Sequence, residues 1–322
     1  MAIRVFIDGE AGTTGLQISA RLDARRDLEL VRLDDAMRKD PAARAAALNS
    51  ADIVILCLPD GAAKEAVAMI DNPAVRVIDA STAHRTADGW TYGFPELDPA
   101  QRDAVAASKR VSNPGCYPTG ALALIRPLIK CGLLPVDWPV TINAVSGYSG
   151  GGKALIAAFE DQTNAHYTHD PYRIYALGLA HKHVGEMRVH SGLAHNPLFA
   201  PSVGRFYKGM LVEAPLQLWA LPEKVSARDV HETLAAAYAG CRFVSVAGLD
   251  EAAGLSSLDP EGLNGTNELK LYVFGNEAEK QVRLVALLDN LGKGASGAAV
   301  QNLNLMLGLD EALGLEDGTL TA

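Results

Sequence analysis

One cysteine of this sequence stands in a setting that favours nucleophilic chemistry. Cys116 lies within the run Ser112-Asn113-Pro114-Gly115-Cys116-Tyr117-Pro118-Thr119-Gly120. Asn-Pro-Gly is typical of a turn and Pro118 of a first helical turn, so Cys116 is predicted at the start of a helix. Unpaired N–H groups there stabilise a thiolate and can hold the oxyanion that forms when it attacks a carbonyl. An isolated cysteine is often a small buried hydrophobe, but these polar, glycine-rich surroundings favour the nucleophile.

The other three cysteines, Cys57, Cys131 and Cys241, have no comparable surroundings. Cys57 lies in the apolar run Ile53–Leu58 and is predicted to be buried and inert. Four cysteines without metal-site spacing are too few for a disulfide framework in a chain of this length. We therefore expect neither structural disulfides nor a metal site.

A second polar cluster, His181-Lys182-His183 followed by Glu186, could supply proton transfer to such a thiolate. Imidazole exchanges protons near neutral pH, a carboxylate can orient it, and a lysine can contact an anion. The alternative is a solvated charged loop, and the sequence alone leaves both interpretations open. A metal is disfavoured because no further histidine or cysteine has suitable spacing.

A glycine-rich turn near the N-terminus favours dinucleotide binding. Gly9-Glu10-Ala11-Gly12-Thr13-Thr14-Gly15 follows an apolar run and has the spacing G-x-x-G-x-x-G. Glycines admit a pyrophosphate close to the backbone, and the N–H groups of a helix start bind its charge. A tight turn that binds nothing is the alternative. NAD and NADP are not separated, since the segment Arg32-Leu33-Asp34-Asp35, at the end of the next predicted strand, offers both signs of charge.

The segments around this turn alternate between strand and helix patterns. The predicted strands and helices are Ile3–Asp8, Leu28–Leu33, Ile53–Leu58 and Val75–Asp79, and Pro41–Leu48 and Gly61–Ile70. Such alternation predicts an α/β, doubly wound parallel sheet of the Rossmann type. We assign residues 1–115 to this dinucleotide-binding domain.

Beyond residue 115 the pattern changes to several strands with few helices. The predicted helices are Cys116–Lys130 and Ser226–Ala239, and the predicted strands are Val140–Val145, Gly209–Trp219, Phe243–Val246, Leu269–Gly275 and Gln281–Leu288. This pattern favours an α+β domain with a mixed sheet, assigned to catalysis and oligomerisation over residues 116–296. A last helix, Gly297–Leu307, has no strand after it, so residues 297–322 are expected to return to the first domain.

Length and charge exclude several classes of function. A chain of 322 residues favours two domains, and its formal net charge of −9 disfavours binding to nucleic acid. No apolar run reaches the ~18 residues of a membrane span, and the start lacks a signal-peptide layout. We therefore expect a cytoplasmic protein without membrane contact.

Several blocks together resemble the short form of the N-acetyl-γ-glutamyl-phosphate reductases, distant relatives of the aspartate-semialdehyde dehydrogenases. Besides the Gly9–Gly15 turn and the Cys116 run, the blocks are Asp79–Arg85 with Tyr92–Leu97, Val145–Gly150, His181–Glu186, and Asp289–Gly297 continuing to Gln301–Asn304. The chain departs from the family at Ala83-His84, where Asp-Phe is commoner, and at Lys182 and Val184-Gly185, where the family has Arg and Thr-Pro.

The resemblance implies a role for each block. Cys116 would be the nucleophile, and His181 or His183 the acid–base group, with His181 slightly favoured. Four residues are predicted to bind the substrate: Arg85, as an anchor for an anionic group, with Ser112, Asn113 and Glu186. Those predicted to bind the cofactor are Gly9, Gly12, Thr13, Thr14 and Gly15 at its phosphates, and Ser146, Gly147, Ser149, Asn290 and Gly294 at its other end.

The implied reaction is the NADPH-dependent reduction of an acyl phosphate, N-acetyl-γ-glutamyl phosphate, through a thioester on Cys116, a step of arginine biosynthesis. A homodimer or homotetramer is implied as well. The alternatives are a related reductase acting on aspartyl or aminoadipyl phosphate, an NADP-binding sensor without catalysis, and a cysteine hydrolase. The hydrolase would not need a nucleotide-binding fold.

Overall fold

The computed structural model of the chain describes residues 2–34 and 36–315, which form two compact units. The first unit contains residues 2–95, 99–115 and 295–315, with the gap at residue 35, and the second contains residues 96–98 and 116–294. Asp35, one of the two acidic residues considered above for the choice of nucleotide, lies outside the described residues. So does the end of the predicted return segment, residues 316–322.

The first unit is built on a parallel sheet in the order β2-β1-β3-β4-β6-β5. Its strands are β1 (Ile3–Asp8), β2 (Leu28–Val31), β3 (Ile53–Leu56), β4 (Arg76–Asp79), β5 (Thr91–Tyr92) and β6 (Arg110–Ser112). Its helices are α1 (Thr13–Leu22), α2 (Pro41–Ser50), α3 (Asp60–Ala68), α4 (Gln101–Ala107) and α10 (Gly297–Met306). The predicted parallel doubly wound fold is confirmed.

Burial explains why these segments form a parallel sheet. All four residues of β3 are buried, as expected for a strand covered on both faces. Phe6, Val54 and Leu56 pack with Leu48 of α2 and Ala63 of α3 in one apolar cluster. Helix α10 packs on β4 and against α1 and α4, within the same unit.

The second unit holds a mixed sheet in the order β11-β12-β13-β10-β7-β9-β8. Its strands are β7 (Thr141–Gly147), β8 (Tyr172–Ile174), β9 (Leu198–Gly204), β10 (Met210–Gln217), β11 (Val244–Val246), β12 (Leu269–Asn276) and β13 (Gln281–Leu288). Its helices are α5 (Cys116–Lys130), α6 (Gly152–Glu160), α7 (Val184–Ser191), α8 (Ala227–Ala237) and α9 (Leu249–Ala253). The predicted α+β architecture with a mixed sheet is confirmed.

Helix α5 lies on one face of this sheet and begins and ends where the sequence predicted. Gly120 is the point of closest approach, since a Cβ there would come within 2.8 Å of Val212 Cγ2 in β10. The helix is buried without interruption from Tyr117 to Ile125. The strand that carries Val212 alternates between buried and partly exposed residues, so one face of the sheet packs on α5 and the other stays open.

Residues 96–98 belong to the second unit, although the chain on both sides of them belongs to the first. The buried Lys293 Nζ lies 2.7 Å from Glu96 Oε1, and Asp98 forms ion pairs with Arg126 and Lys130. A buried lysine requires such a partner, because an isolated ammonium is costly to remove from water.

Several elements had no sequence prediction. Strand β9 carries Pro201, which lacks an N–H donor and argues against an interior strand, yet it lies between β7 and β8. Strands β5, β6 and β8 have two or three residues each, too few to show a periodic pattern. Helix α8, by contrast, was predicted, and it begins with a capping box: Ser226 Oγ accepts from the N–H of Asp229, and Asp229 Oδ2 accepts from the N–H of Ser226.

Candidate active site

The predicted nucleophile, Cys116, is the first residue of helix α5 and is partly exposed. Gly294 lies directly against it, since a Cβ at Gly294 would come within 2.8 Å of Cys116 Cβ. The N–H of Gly294 donates to the carbonyl of Asp289 at 3.0 Å, which holds this glycine in place. The resemblance assigned Gly294 to the cofactor, and the structure places it against Cβ and Cα of Cys116.

Two tyrosines flank the cysteine. The hydroxyl of Tyr175 donates to that of Tyr117 at 2.9 Å, and the hydroxyl of Tyr117 donates to the carbonyl of Ser202 at 3.4 Å. Burial raises the pKa of Tyr175 to about 12 and the pKa of Tyr117 well above its ordinary value. A negative charge on Cys116 acts on both pKa values in the same direction, so both hydroxyls stay protonated beside a thiolate.

His181 lies in an aromatic enclosure next to these tyrosines. Its ring centroid is 5.1 Å from that of Phe199, 5.7 Å from Tyr175 and 6.0 Å from Tyr117. The N–H of His183 donates to Nδ1 of His181 at 3.2 Å, which leaves the proton of the neutral ring on Nε2. Burial, with the charge of Lys182, lowers the pKa of His181, while Glu186 opposes this shift. The ring is therefore neutral at pH 7 and offers a donor.

His183 lies beside it but is more deeply buried. The two histidine centroids are 4.8 Å apart, and His183 is the residue that precedes α7. Only 6% of His183 is exposed and 3% of Glu186, which lies in the first turn of that helix. The structure thus brings together the predicted cluster around Tyr117, with His181 the more accessible histidine.

Four of the five residues predicted near the far end of the cofactor, all except Gly294, form one tight group at the end of β7. The amide of Asn290 donates to Ser149 Oγ at 3.0 Å, and its oxygen accepts from the N–H of Gly209 at 2.8 Å. Gly147 has no room for a side chain, since a Cβ would lie 2.5 Å from the carbonyl oxygen of Tyr207. Ser146 is buried, and its hydroxyl donates a hydrogen bond to the carbonyl of Gly147.

In the first unit the glycine turn has the tight geometry that the sequence predicted. Gly9 has a φ of +88°, and a Cβ on Gly15 would lie 2.5 Å from the carbonyl oxygen of Gly9. Gly12 precedes α1, which begins at Thr13 and has no acidic residue among Thr13, Thr14 and the rest of its first turn. With no side chain capping the helix start, its N–H groups suit an anion such as a pyrophosphate.

A cavity of about 370 Å³ adjoins this turn and contains a basic group that the sequence analysis did not identify as a site. Its lining includes Gly9, Ala11, Leu33, Arg38, Lys39 and Arg44. Asp8 Oδ2 accepts from Arg44 at 2.7 Å, and Asp34 Oδ1 accepts from the N–H of Met37 in the turn that carries Arg38 and Lys39. Arg38-Lys39 was visible in the sequence only as a short basic pair.

The remaining predicted substrate residues of the first unit are buried. Ser112 and Asn113 are each 1% exposed, and the hydroxyl of Ser112 donates to the carbonyl of Thr91 at 3.4 Å. Arg85, 8% exposed, donates from Nε to the carbonyl of Asn113 at 2.9 Å and from Nη2 to that of Ala80 at 3.1 Å. These contacts tie Arg85 to the backbone that leads to Cys116.

Over residues 2–34 and 36–315, no three His, Cys, Asp or Glu side chains lie close enough together to hold a metal ion. Within the same residues no helix is both long and apolar enough to cross a membrane.

Comparisons with known proteins cover nearly the whole chain. Residues 4–105 match the family described as semialdehyde dehydrogenase, NAD binding domain, and residues 116–290 match semialdehyde dehydrogenase, dimerisation domain. A relative from Nostoc sp. named N-acetyl-gamma-glutamyl-phosphate reductase 2 is 56% identical over 318 residues, 97% of this chain and 99% of its own length. A Burkholderia cenocepacia relative named N-acetyl-gamma-glutamyl-phosphate reductase is 58% identical over 308 residues, 96% and 98% of the two chains.

Solved structures show the same fold at low identity. Aspartate semialdehyde dehydrogenase II from Vibrio cholerae, complexed with ASA, has a TM-score of 0.68 at 14% identity and covers 96% of this chain and 99% of its own. Aspartate semialdehyde dehydrogenase with NADP from Candida albicans has a TM-score of 0.64 at 13% identity, covering 95% and 99%.

Proposed function

Because the chain belongs to the N-acetyl-γ-glutamyl-phosphate reductase family, we propose that it reduces N-acetyl-γ-glutamyl phosphate to N-acetylglutamate 5-semialdehyde and phosphate in arginine biosynthesis. The observation that carries the proposal is the position of Cys116. Cys116 begins α5 beside two protonated tyrosines, and one of these, Tyr117, lies next to the neutral ring of His181. That arrangement suits acyl transfer to sulfur.

In the proposed first step the Cys116 thiolate attacks the acyl carbon of the substrate. A C–S bond forms, the C–O bond to the phosphoryl group breaks, and phosphate leaves with the bonding electron pair. The N–H groups at the start of α5 stabilise the negative oxygen of the tetrahedral intermediate, which is worth roughly 3–4 kcal/mol per donor in comparable sites. The product of this step is a thioester.

A bound NADPH supplies a hydride to the thioester carbon. The C–S bond of the resulting thiohemiacetal then breaks, and Cys116 leaves as a thiolate while the aldehyde is released. We assign to His181, rather than His183, the hydrogen bond to the negative oxygen in both steps. Its Nε2 carries the proton and it is the more accessible ring, which supports this assignment.

For the other predicted substrate residues we propose two kinds of role. Ser112 and Asn113, each 1% exposed with side chains bonded inside the first unit, position the chain before Cys116 and do not contact the substrate. Arg85 keeps its predicted role as an anchor for an anionic group. Glu186 orients the histidine cluster, and its effect on the pKa of His181 supports this role.

We propose NADPH rather than NADH as the reductant. The glycine turn suits the pyrophosphate, and the adjoining cavity is lined by Arg38, Lys39 and Arg44 together with the carboxylates Asp8 and Glu10. Asp8 is paired with Arg44, and Glu10 lies 3.8 Å from Arg32, so Arg38 and Lys39 are the cations that suit a 2′-phosphate. The negative charge of Asp34 does not argue against NADPH, because its carboxylate accepts a hydrogen bond from the N–H of Met37 and shapes the turn that carries Arg38.

We further propose a homodimer formed through the open face of the second sheet. Residues 116–290 match a family described as a dimerisation domain, which supports a second copy as the partner. On this face Glu213 and Arg283 form an ion pair at 2.7 Å, and the register places Ile174, 60% exposed, on the same side. Charges of both signs among apolar residues suit a self-complementary contact.

We also propose that the protein acts in the cytoplasm, because a reactive cysteine has to stay reduced and the cytoplasm keeps thiols reduced.

The substrate assignment is tested in the oxidative direction, with phosphate and NADP⁺ and either N-acetylglutamate semialdehyde or aspartate semialdehyde. We expect turnover of the acetylated substrate, and a preference for aspartate semialdehyde would overturn the proposal. Cys116→Ser should lower kcat at least about 10³-fold, since the nucleophile is lost. Cys131→Ser, at an exposed cysteine, is the control and should retain full turnover.

A further inference from the structure

A buried carboxylate–histidine pair lies at the end of strand β4, and the proposed reaction has not used it. Asp79 is 0% exposed, and its Oδ2 lies 2.6 Å from Nδ1 of His84. The same carboxylate accepts from the N–H of Ser81 at 2.9 Å and from its hydroxyl at 2.8 Å. Since the carboxylate accepts, Nδ1 of His84 donates, and the ring is oriented by this bond.

Stacking on Trp90 also restricts the tilt of the His84 ring. The rings of His84 and Trp90 have centroids 4.1 Å apart and planes inclined by 13°. His84 is 9% exposed, so the ring has little freedom to rotate away from Asp79. Residues 80–85 are therefore held as a rigid turn between β4 and Trp90.

Both backbone polar groups of Asn113, its N–H and its carbonyl, are hydrogen-bonded to the end of β4 and this turn. The carbonyl of Asp79 accepts from the N–H of Asn113 at 2.7 Å. Arg85, the neighbour of His84 in the chain, donates from Nε to the carbonyl of Asn113 at 2.9 Å. The second donor, Nη2 of Arg85, bonds to the carbonyl of Ala80 and so returns to the same turn.

The side chain of Asn113 is bonded as well. Its amide donates to the carbonyl of Ala295 at 2.9 Å, and its oxygen accepts from Nδ2 of Asn302 at 3.0 Å. With its backbone N–H and C=O also bonded, Asn113 has a partner at each kind of polar group. Only Pro114 and Gly115 separate it from Cys116 in the chain.

We infer that His84 is a positioning residue for the nucleophile: bonded to Asp79 and stacked on Trp90, it holds the turn that places Arg85 on the carbonyl of Asn113. The inference rests on the proposed role of Cys116 as the nucleophile. Its effect passes along the chain through Pro114 and Gly115, the two residues between Asn113 and Cys116. A shift of about 1 Å in such a site can cost 10²-fold in rate.

The test compares His84→Leu, His84→Asn and His84→Gln. An Asn amide can reach the place of Nδ1 and donate to Asp79, whereas Leu cannot donate and the longer Gln places its amide near Nε2. We expect kcat about 10- to 100-fold lower in His84→Leu and His84→Gln, little change in KM, and recovery of most of kcat in His84→Asn. The pH dependence of Cys116 alkylation should shift in the same two variants.

The matched control is His231→Leu, in the second unit, whose ring bonds to the carbonyl of Ala247 at 3.0 Å. It should leave kcat and the alkylation profile unchanged. Wild-type kcat and alkylation in a folded His84→Leu would overturn the inference, and so would equal behaviour of the Asn and Gln variants. The Asn–Gln pair decides the question even where His84→Leu fails to fold. Failure of the proposed function is separate, because it would show as activity in Cys116→Ser.

Discussion

At the scale of single residues, the proposed nucleophile Cys116 has neighbours that stay neutral. Tyr117 and Tyr175 are held protonated by burial, and burial disfavours a charge on the ring of His181. If Cys116 reacts as a thiolate, as proposed, neutral donors beside it can hydrogen-bond to the charged sulfur without adding a negative charge of their own. The sequence predicted the cysteine and the histidines, but not Tyr175, whose partner Tyr117 is 58 residues away in the chain.

His181→Gln is expected to lower kcat by about 10²- to 10⁴-fold, the usual contribution of a positioned proton donor. It should also change the pH dependence of stability. The folded pKa of His181 is below its ordinary value because of burial, so the unfolded chain binds a proton at higher pH than the native state. This contribution to the free energy of unfolding is complete above about pH 6.5 and falls as the pH drops through the lowered pKa.

Urea unfolding at pH 7.5 and pH 5.5 measures that loss, which His181→Gln should reduce. The exposed His195 provides the matched variant, His195→Gln, which should keep both kcat and the wild-type pH dependence. If both variants changed the pH dependence equally, the effect would not belong to the His181 enclosure.

At the scale of elements, patterns of apolar residues predicted the longer strands and the helices α2, α3, α5, α8 and α10. The short or proline-bearing strands β5, β6, β8 and β9 were missed, and so were the helices α4, α6, α7 and α9. Strand β9 shows why: its Pro201 would weaken an isolated strand, but pairing to β7 along its whole length stabilises it here. The basic turn at Met37–Lys39 was missed for a different reason. Arg38 and Lys39 line one cavity with residues of α2 and the glycine turn, a long-range arrangement that no local pattern records.

Arg38→Ala and Lys39→Ala are each expected to raise the KM for NADPH by about 10- to 100-fold, the cost of one charge-assisted hydrogen bond. The KM for NADH should change little, because NADH lacks the 2′-phosphate. Steady-state kinetics with both nucleotides checks this, with Lys64→Ala, an exposed lysine on α3, as the control. An equal rise in KM for NADPH and NADH would show that the two residues do not bind the 2′-phosphate.

At the scale of the whole molecule, the open face of the second sheet is the feature with the largest consequence for assembly. Ile174→Glu puts a charge at a residue that is 60% exposed in a single chain, so the fold should tolerate it. In the proposed dimer the same charge would lie at the interface, and we expect dissociation to monomers. Sedimentation velocity measures this, and Val136→Glu, 51% exposed away from the sheet, should keep the wild-type mass. A dimeric Ile174→Glu would exclude this edge of the sheet from the interface.

The path of the chain between the two units also sets the order in which they can be made. The backbone passes from one unit to the other at residues 95–96, 98–99, 115–116 and 294–295. On the ribosome, every strand of the first sheet is synthesised before the second unit, but α10, which packs on β4 and α4, is synthesised after it. Most multidomain chains complete their N-terminal domain first. Here the nascent chain can complete the second unit before α10, which the first unit needs, has been synthesised.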